Sequence, residues 1–239
     1  MKKLPILLVL CTITLTLNAQ YNTIGAWNIL NVKYNIDKKW SAFAEAQLRS
    51  LKFYDNFHYY ECKGGVNYKI HNNVTLTLGI GSYQTYKEGG TFITPKNNNE
   101  CRLWPQISLS HPIKNFKIEQ RYRAEFRFTS NGYRNRYRYR LGIAYPFGKL
   151  NNGFYPYQIN VSNELFFGNK EPYFERNRLQ FSIHYKPSKS IAWQAGYINQ
   201  FDYKINDETG KSFFQMGLFI ELFKPSIATK TTTTEFNDN

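Results

Sequence analysis

The sequence predicts an all-β fold: a transmembrane, antiparallel, up-and-down β-barrel of about 10–12 strands, with short periplasmic turns and longer extracellular loops. Three observations carry that expectation. Apolar and polar residues alternate with a period of two, the period at which successive strand side chains point to opposite faces. The apolar face is dense in Tyr and Phe, and the opposite face is dense in arginine. The alternating stretches also run well past the five or six residues of an ordinary strand.

The chain opens on Met1-Lys2-Lys3, an apolar run over 4–17 and Asn18-Ala19-Gln20. A basic start, a short apolar stretch and a small residue at the cut are the parts of a secretory signal peptide, assigned here to 1–19. The run is too short to span a bilayer as a mature helix. Residues 20–223 are then expected to form one barrel, and the polar stretch 224–239, with four consecutive threonines, a disordered tail.

Eleven strand-like segments follow the leader. The first, 24–34, alternates poorly, with Trp27 and Ile29 on one side and Leu30 and Val32 on the other. Residues 38–50 set Trp40, Ala42, Ala44, Ala46 and Leu48 against Glu45, Gln47 and Arg49. Residues 58–70 set Tyr60, Val66, Tyr68 and Ile70 against Tyr59, Glu61, Lys63, Asn67 and Lys69. Leu76, Leu78 and Ile80 mark the next strand, and 99–111 sets Leu103, Ile107 and Leu109 against Glu100, Arg102, Trp104 and Gln106. Bacterial barrels usually have an even strand number with both termini periplasmic. Ten strands from residue 38 onward satisfy that rule, which leaves 24–34 either outside the wall or paired with a twelfth.

The pattern is strongest over 114–147. Phe116, Ile118, Tyr122, Ala124, Phe126 and Phe128 alternate with Lys117, Glu119, Arg121, Arg123, Glu125 and Arg127. Tyr137, Tyr139, Leu141, Ile143 and Tyr145 alternate with Arg134, Arg136, Arg138 and Arg140. Asn131-Gly132 between them is a two-residue hairpin signal, since both positions of such a turn need positive φ. That turn sets Phe126 opposite Tyr137, Ala124 opposite Tyr139, Tyr122 opposite Leu141, Ile118 opposite Tyr145, and Glu125 opposite Arg138. A one-residue slip would put arginines opposite apolar residues. Neighbouring arginines on one face lie roughly 6.6 Å apart. At an effective dielectric near 20 they repel by about 2.5 kcal/mol, so the ladder needs carboxylates or a wet lumen.

The remaining strands repeat the rule. Ile159, Val161, Leu165 and Phe167 oppose Gln158, Asn160, Ser162 and Glu164; Leu179, Phe181, Ile183 and Tyr185 oppose Arg176, Arg178, Gln180, Ser182 and His184. Trp193, Ala195 and Tyr197, then Phe214, Met216, Leu218, Ile220 and Leu222, complete the set. Short connections fall near 35–37, 71–73, 112–115 and 187–190, and longer ones at 51–57, 87–98, 168–173 and 203–211. Pro105 and Pro146 fall inside or at the end of strands, where a missing ladder donor is out of place.

Motifs on the charged faces occur in a fixed order: Glu100-x-Arg102-x-Trp104-x-Gln106, Arg121-x-Arg123-x-Glu125-x-Arg127-Phe128, Arg136-x-Arg138-x-Arg140, Asn163-Glu164-x-Phe166 and Asn177-Arg178-Leu179. Over roughly 27–200 this set resembles the outer-membrane-barrel-like family called domain of unknown function 2490. The resemblance implies a barrel in the outer membrane of a Gram-negative cell and implies no activity. The chain departs from the pattern at Lys63, where arginine is usual, and in ending its last strand at Phe223 rather than at the terminus.

The net charge is +14, or +12 without Lys2 and Lys3. A basic, Tyr-rich chain can bind nucleic acid, but export and the placement of arginines on strand faces argue against it. The expected partners are outer-membrane lipids, the barrel-assembly machinery and small anionic solutes. No cofactor is expected. Cys62 and Cys101 fall on apolar faces with one strand between them, too far apart for a disulfide, and no metal site is expected.

The candidate functional set is a lumen-facing network of Glu100, Arg102, Glu119, Arg121, Arg123, Glu125, Arg127, Arg134, Arg136, Arg138, Arg140, Glu164, Arg176 and Arg178. Guanidinium forks suit carboxylates and phosphates, and arginine rings select anions. The same groups, with Glu45 and Glu61, could instead pair and seal a narrow barrel. No catalytic residue is assigned. A lipid-acting outer-membrane enzyme is the alternative, with Ser182 and His184 about 6.6 Å apart along one strand face and no carboxylate in a triad role. A soluble secreted β-sandwich is the third reading.

Overall fold

Period-two alternation with no second apolar layer leaves one way to bury polar backbone: close the sheet on itself. The computed structural model does this. It describes residues 23–225 except 91, 151, 152 and 204–208. The signal peptide assigned to 1–19, and the tail from 226 onward, lie outside the described residues.

Eleven strands form one closed barrel: β1 (Ile24–Asn35), β2 (Trp40–Lys52), β3 (Asp55–His71), β4 (Val74–Tyr86), β5 (Lys96–Ile113), β6 (Phe116–Thr129), β7 (Gly132–Phe147), β8 (Tyr157–Gly168), β9 (Phe174–Ser188), β10 (Ile191–Asp202) and β11 (Thr209–Phe223). Each strand pairs with its sequence neighbours in antiparallel fashion, from β1–β2 to β10–β11. The ring closes where β1 runs parallel to β11, from Ile24 opposite Ser212 to Asn35 opposite Phe223. A single ring with no facing sheet excludes the β-sandwich.

The segment 24–34 is therefore a wall strand, and no twelfth strand occurs among the described residues. Its weak alternation has a cause. Trp27 points inward and packs with Ile198 and Phe213, with Ile29 against them, so this strand carries apolar residues on both faces. An odd strand number also corrects the expectation for the termini. β1 starts at the end of the barrel where 87–95 and 169–173 connect strands, the loop end, whereas β11 finishes at the opposite turn end. The 51–57 connection shortens to Phe53-Tyr54, because β2 runs to Lys52 and β3 begins at Asp55; Tyr54 and Asn56 take positive φ there.

The β6–β7 faces are as the alternation requires, but the register is stepped by two residues. Tyr122 faces Tyr139, Ala124 faces Tyr137, Phe126 faces Asn135, Ile118 faces Ile143 and Glu125 faces Arg136. The turn pair is Ser130-Asn131, and only Gly132 has positive φ, at 101°. Thr129 explains the step. Its Oγ1 accepts from Asn131 N at 3.0 Å and donates to Gly132 O at 2.8 Å, so the Thr129–Gly132 pair ends the ladder. A left-handed glycine after a tight turn is the bulged alternative to the two-glycine-like hairpin. A two-residue step keeps parity, which is why the faces survive it.

Pro105 sits inside β5, and its missing N–H shows in the ladder: Leu103 pairs with Phe126 and pairing resumes at Gln106 with Arg123. Outward positions form an apolar band. Leu78, Ile80 and Trp193 are 52%, 56% and 53% exposed, far more apolar surface than a water-facing wall keeps. Aromatic rings gird the band. Near the turn end Tyr145, Phe147, Tyr157 and Tyr185 stack in sequence at 6.2, 5.5 and 5.4 Å between centroids. Cys62 and Cys101 are free and exposed on this outer face.

Candidate functional site

Inward positions of β2, β3 and β5–β10 project a continuous network of charge into the barrel. Glu100 binds Arg102 at 2.7 Å and also holds Arg127. Glu125 takes Arg138 at 2.6 Å and lies 3.6 and 3.7 Å from Arg102 and Arg123. Glu164 takes Arg121 at 2.5 Å and Arg138 at 2.8 Å, with Arg178 at 3.8 Å. On the facing wall Lys63 bridges Glu45 and Glu61, each at 2.6 Å, and Arg49 reaches Glu61 at 3.2 Å. Arg176 pairs with Asp202.

Of the residues singled out from the sequence, Glu100, Arg102, Arg121, Arg123, Glu125, Arg127, Arg136, Arg138, Glu164, Arg176 and Arg178 come together in this network. Three stand apart. Glu119 makes no direct ion pair with the arginine ladder, although Arg121 and Arg140 lie within electrostatic reach; it pairs with Lys117 at 2.7 Å on a half-exposed stretch nearer the turn end. Gly142 lies opposite it in register, so no β7 arginine faces it. Arg134 is exposed at the loop-end rim. Arg140 makes no ion pair or hydrogen bond with a carboxylate among the described residues, although Glu164 is opposite it in register.

Two contributors were missed. Glu175 has the wrong parity for the lumen, yet it binds Arg136 through Nε at 2.5 Å and approaches Arg127 at 3.8 Å. A register shift between Phe166 and Phe167, which pair with Arg176 and Phe174, leaves Glu175 as the extra residue of a bulge and re-aims it inward. The only sequence signal was its place beside Arg176. The second omission is a set of inward aromatics. Arg49 lies 3.4 Å from the Trp27 ring centroid, Arg102 3.8 Å from Tyr83, Arg123 3.9 Å from Trp104 and Arg138 4.5 Å from Phe166. Arg178 lies between Trp27 and Phe166 at 4.7 and 5.0 Å. Each ring supports a guanidinium face and leaves its N–H edge for carboxylates. Gly79 makes this possible at Trp104, since a Cβ there would fall 2.2 Å from the indole.

Inside the barrel, rim residues apart, ten arginines and Lys63 face six glutamates (Glu45, Glu61, Glu100, Glu125, Glu164 and Glu175) and Asp202, an excess of four positive charges. Three cavities of about 680, 360 and 340 Å³ lie in series from the loop end to the turn end. Trp27, Gln47, Lys63, Arg138 and Arg178 line both the first and the second. Lys33, Asn67, Thr77 and Gln106 line both the second and the third. The Trp27–Arg178–Arg138 layer is therefore the constriction between the outer and middle cavities.

Ser182 and His184 also face the interior. Their side chains are closer than strand spacing alone gives, with Ser182 Oγ 3.4 Å from His184 Nε2. Gln194 is opposite His184 in register and the Phe219 ring is 5.8 Å away. No carboxylate hydrogen-bonds the imidazole among the described residues, and the pair faces the lumen rather than the apolar outer band.

A NanC porin shares the fold at TM-score 0.52 and 14% identity, over 83% of this chain and 97% of that chain. LpxR from Salmonella typhimurium aligns at TM-score 0.49 and 10% identity, over 77% of this chain and 85% of that one. None of the curated proteins matches the sequence. Residues 24–211 match the family described as protein of unknown function DUF2490, spanning the ordered charged-face motifs, and the chain belongs to that family.

Proposed function

We propose that this protein is an integral outer-membrane barrel of a Gram-negative cell, exported by its leader, whose lumen is a narrow path favouring small anions. The outward apolar band with its aromatic girdle suits a lipid environment, reached through the barrel-assembly machinery. The observation that carries the anion reading is the series of three adjoining cavities, the first two lined by a surplus of guanidinium groups and the third by Lys33, Lys38, Lys39 and Lys69. Arginine rings favour anions and admit them at a rate set by the constriction. Planar-bilayer recording of the purified chain under a KCl gradient tests it. Small conductance steps with a reversal potential displaced toward the chloride equilibrium potential are expected, and cation preference overturns the reading.

A second reading rests on the sharing of carboxylates. Glu100, Glu125 and Glu164 each serve two or three arginines, so the network would cross-brace the wall and close the lumen. A silent bilayer, with the protein shown to be folded by heat-modifiable migration, supports that reading over the path.

A further inference from the structure

The charge of the network is not evenly shared, and the shortfall falls at one place. Arg121 on β6 and Arg140 on β7 are directly opposed in register. Directly opposed side chains have Cβ atoms about 5 Å apart, and like charges so placed are destabilising. Glu164 is the carboxylate nearest them in the network, and it is heavily committed. Its Oε1 accepts from Arg121 at 2.5 Å and from Arg138 at 2.9 Å, while Oε2 lies 3.8 Å from Arg178. Arg123 turns instead to Gln106, whose Oε1 accepts at 2.9 and 2.6 Å. Arg140 makes no direct ion pair with a carboxylate among the described residues, Glu119 and Glu164 acting on it only at longer range, and Arg121 Nε is buried with no hydrogen-bond partner. Both line the middle cavity of about 360 Å³. A water takes about 30 Å³ of liquid volume, so the space accommodates an ion together with part of its hydration shell.

We propose that the middle cavity holds a small tetrahedral oxyanion, of the phosphate or sulfate type, between Arg121 and Arg140. The proposal deepens the anion-path reading and names a resting site along the same lumen. Guanidinium groups present paired N–H donors in a planar fork that matches two oxygens of an oxyanion. Here forks come from two opposed strands, with Arg123 and Arg138 also lining the cavity. Donors from several directions suit oxygens in a tetrahedral array better than those of a planar carboxylate. A bound dianion would remove the Arg121–Arg140 repulsion and give Arg121 Nε an acceptor.

Isothermal titration of the full chain in detergent with inorganic phosphate tests the site. One phosphate per chain is expected, with acetate binding more weakly. Arg140→Gln is expected to weaken phosphate at least tenfold. Arg140→Lys keeps the charge, loses the fork and falls between; it also serves if the glutamine variant fails to fold. Lys189→Gln, in the exposed β9–β10 turn, leaves binding unchanged. Absence of phosphate binding, or equal binding by Arg140→Gln and the parent chain, overturns the site. A chain that conducts anions but does not bind phosphate loses the site and keeps the path. A chain that binds phosphate with the expected Arg140 dependence and carries no current keeps the site and loses the path.

Discussion

Asn163 and Asn177 show how a single residue pair works on both faces of this wall. Each amide donates to the other across β8 and β9 at 3.1 Å, on the outward face. The residues that follow them, Glu164 and Arg178, point inward and approach to 3.8 Å. The two motifs Asn163-Glu164 and Asn177-Arg178 thus clasp the same strand pair from outside and inside at once. In the proposed membrane setting these amides would face lipid, and each needs its partner there because hydrocarbon offers no replacement donor or acceptor. Asn163→Leu or Asn177→Leu alone is therefore expected to cost about 1–2 kcal/mol, by stranding the remaining amide. The double leucine variant is expected to recover most of that loss, with a coupling near 1 kcal/mol in a double-mutant cycle. Denaturant titration from lipid vesicles measures it, and strictly additive losses would show that the amides act independently.

At the scale of the strand and its turns, local chemistry decides details that alternation leaves open. The β1–β2 turn is set by Asp37, whose Oδ1 accepts from Lys39 N and Trp40 N, both at 2.7 Å. Those two N–H groups hold its carboxyl below the usual 3.8. A depressed folded pKa means that the stabilisation is complete above the unfolded value and is lost as pH falls through the folded one. Following the Asp37 carboxyl by NMR is expected to give a midpoint below 3.8 in the parent chain, and a midpoint at or above that value would remove the turn's role. The same scale marks what the sequence could and could not disclose. Strand faces were legible almost everywhere, because period-two parity survives any even shift. The β6–β7 register was not, because Thr129 rather than Asn131-Gly132 sets where the ladder ends. Glu175 was invisible for a related reason: parity assigns it outward, and only the bulge opposite Phe166 and Phe167 turns it toward Arg136. Arg140 was legible as an inward arginine but not as one lacking a direct carboxylate pair, since Glu164 lies opposite it and spends its oxygens on others.

At the scale of the whole molecule, the fold was readable because one rule repeats around the ring, while closure was not, because it joins the first strand to the last. Trp27 and Ile29 blurred the alternation of β1 by filling the interior beside Ile198 and Phe213. The chain therefore offered eleven segments but no local sign of how the eleventh meets the first. The parallel β1–β11 seam has a consequence that an even-stranded ring lacks. β1 begins at the loop end and β11 finishes at the turn end, so the two ends of the wall leave at opposite ends of the barrel, which the proposed outer-membrane setting would put on opposite sides of the bilayer. With the loop end outward, an epitope placed just before Ile24 is expected to be reached by antibody on intact cells. An epitope placed just after Phe223 is expected to need permeabilisation of the outer membrane. The reverse pattern would keep the parallel seam and invert the barrel in the membrane. Both epitopes on one side would mean that the wall closes with an even number of strands, because only an odd ring separates its two ends.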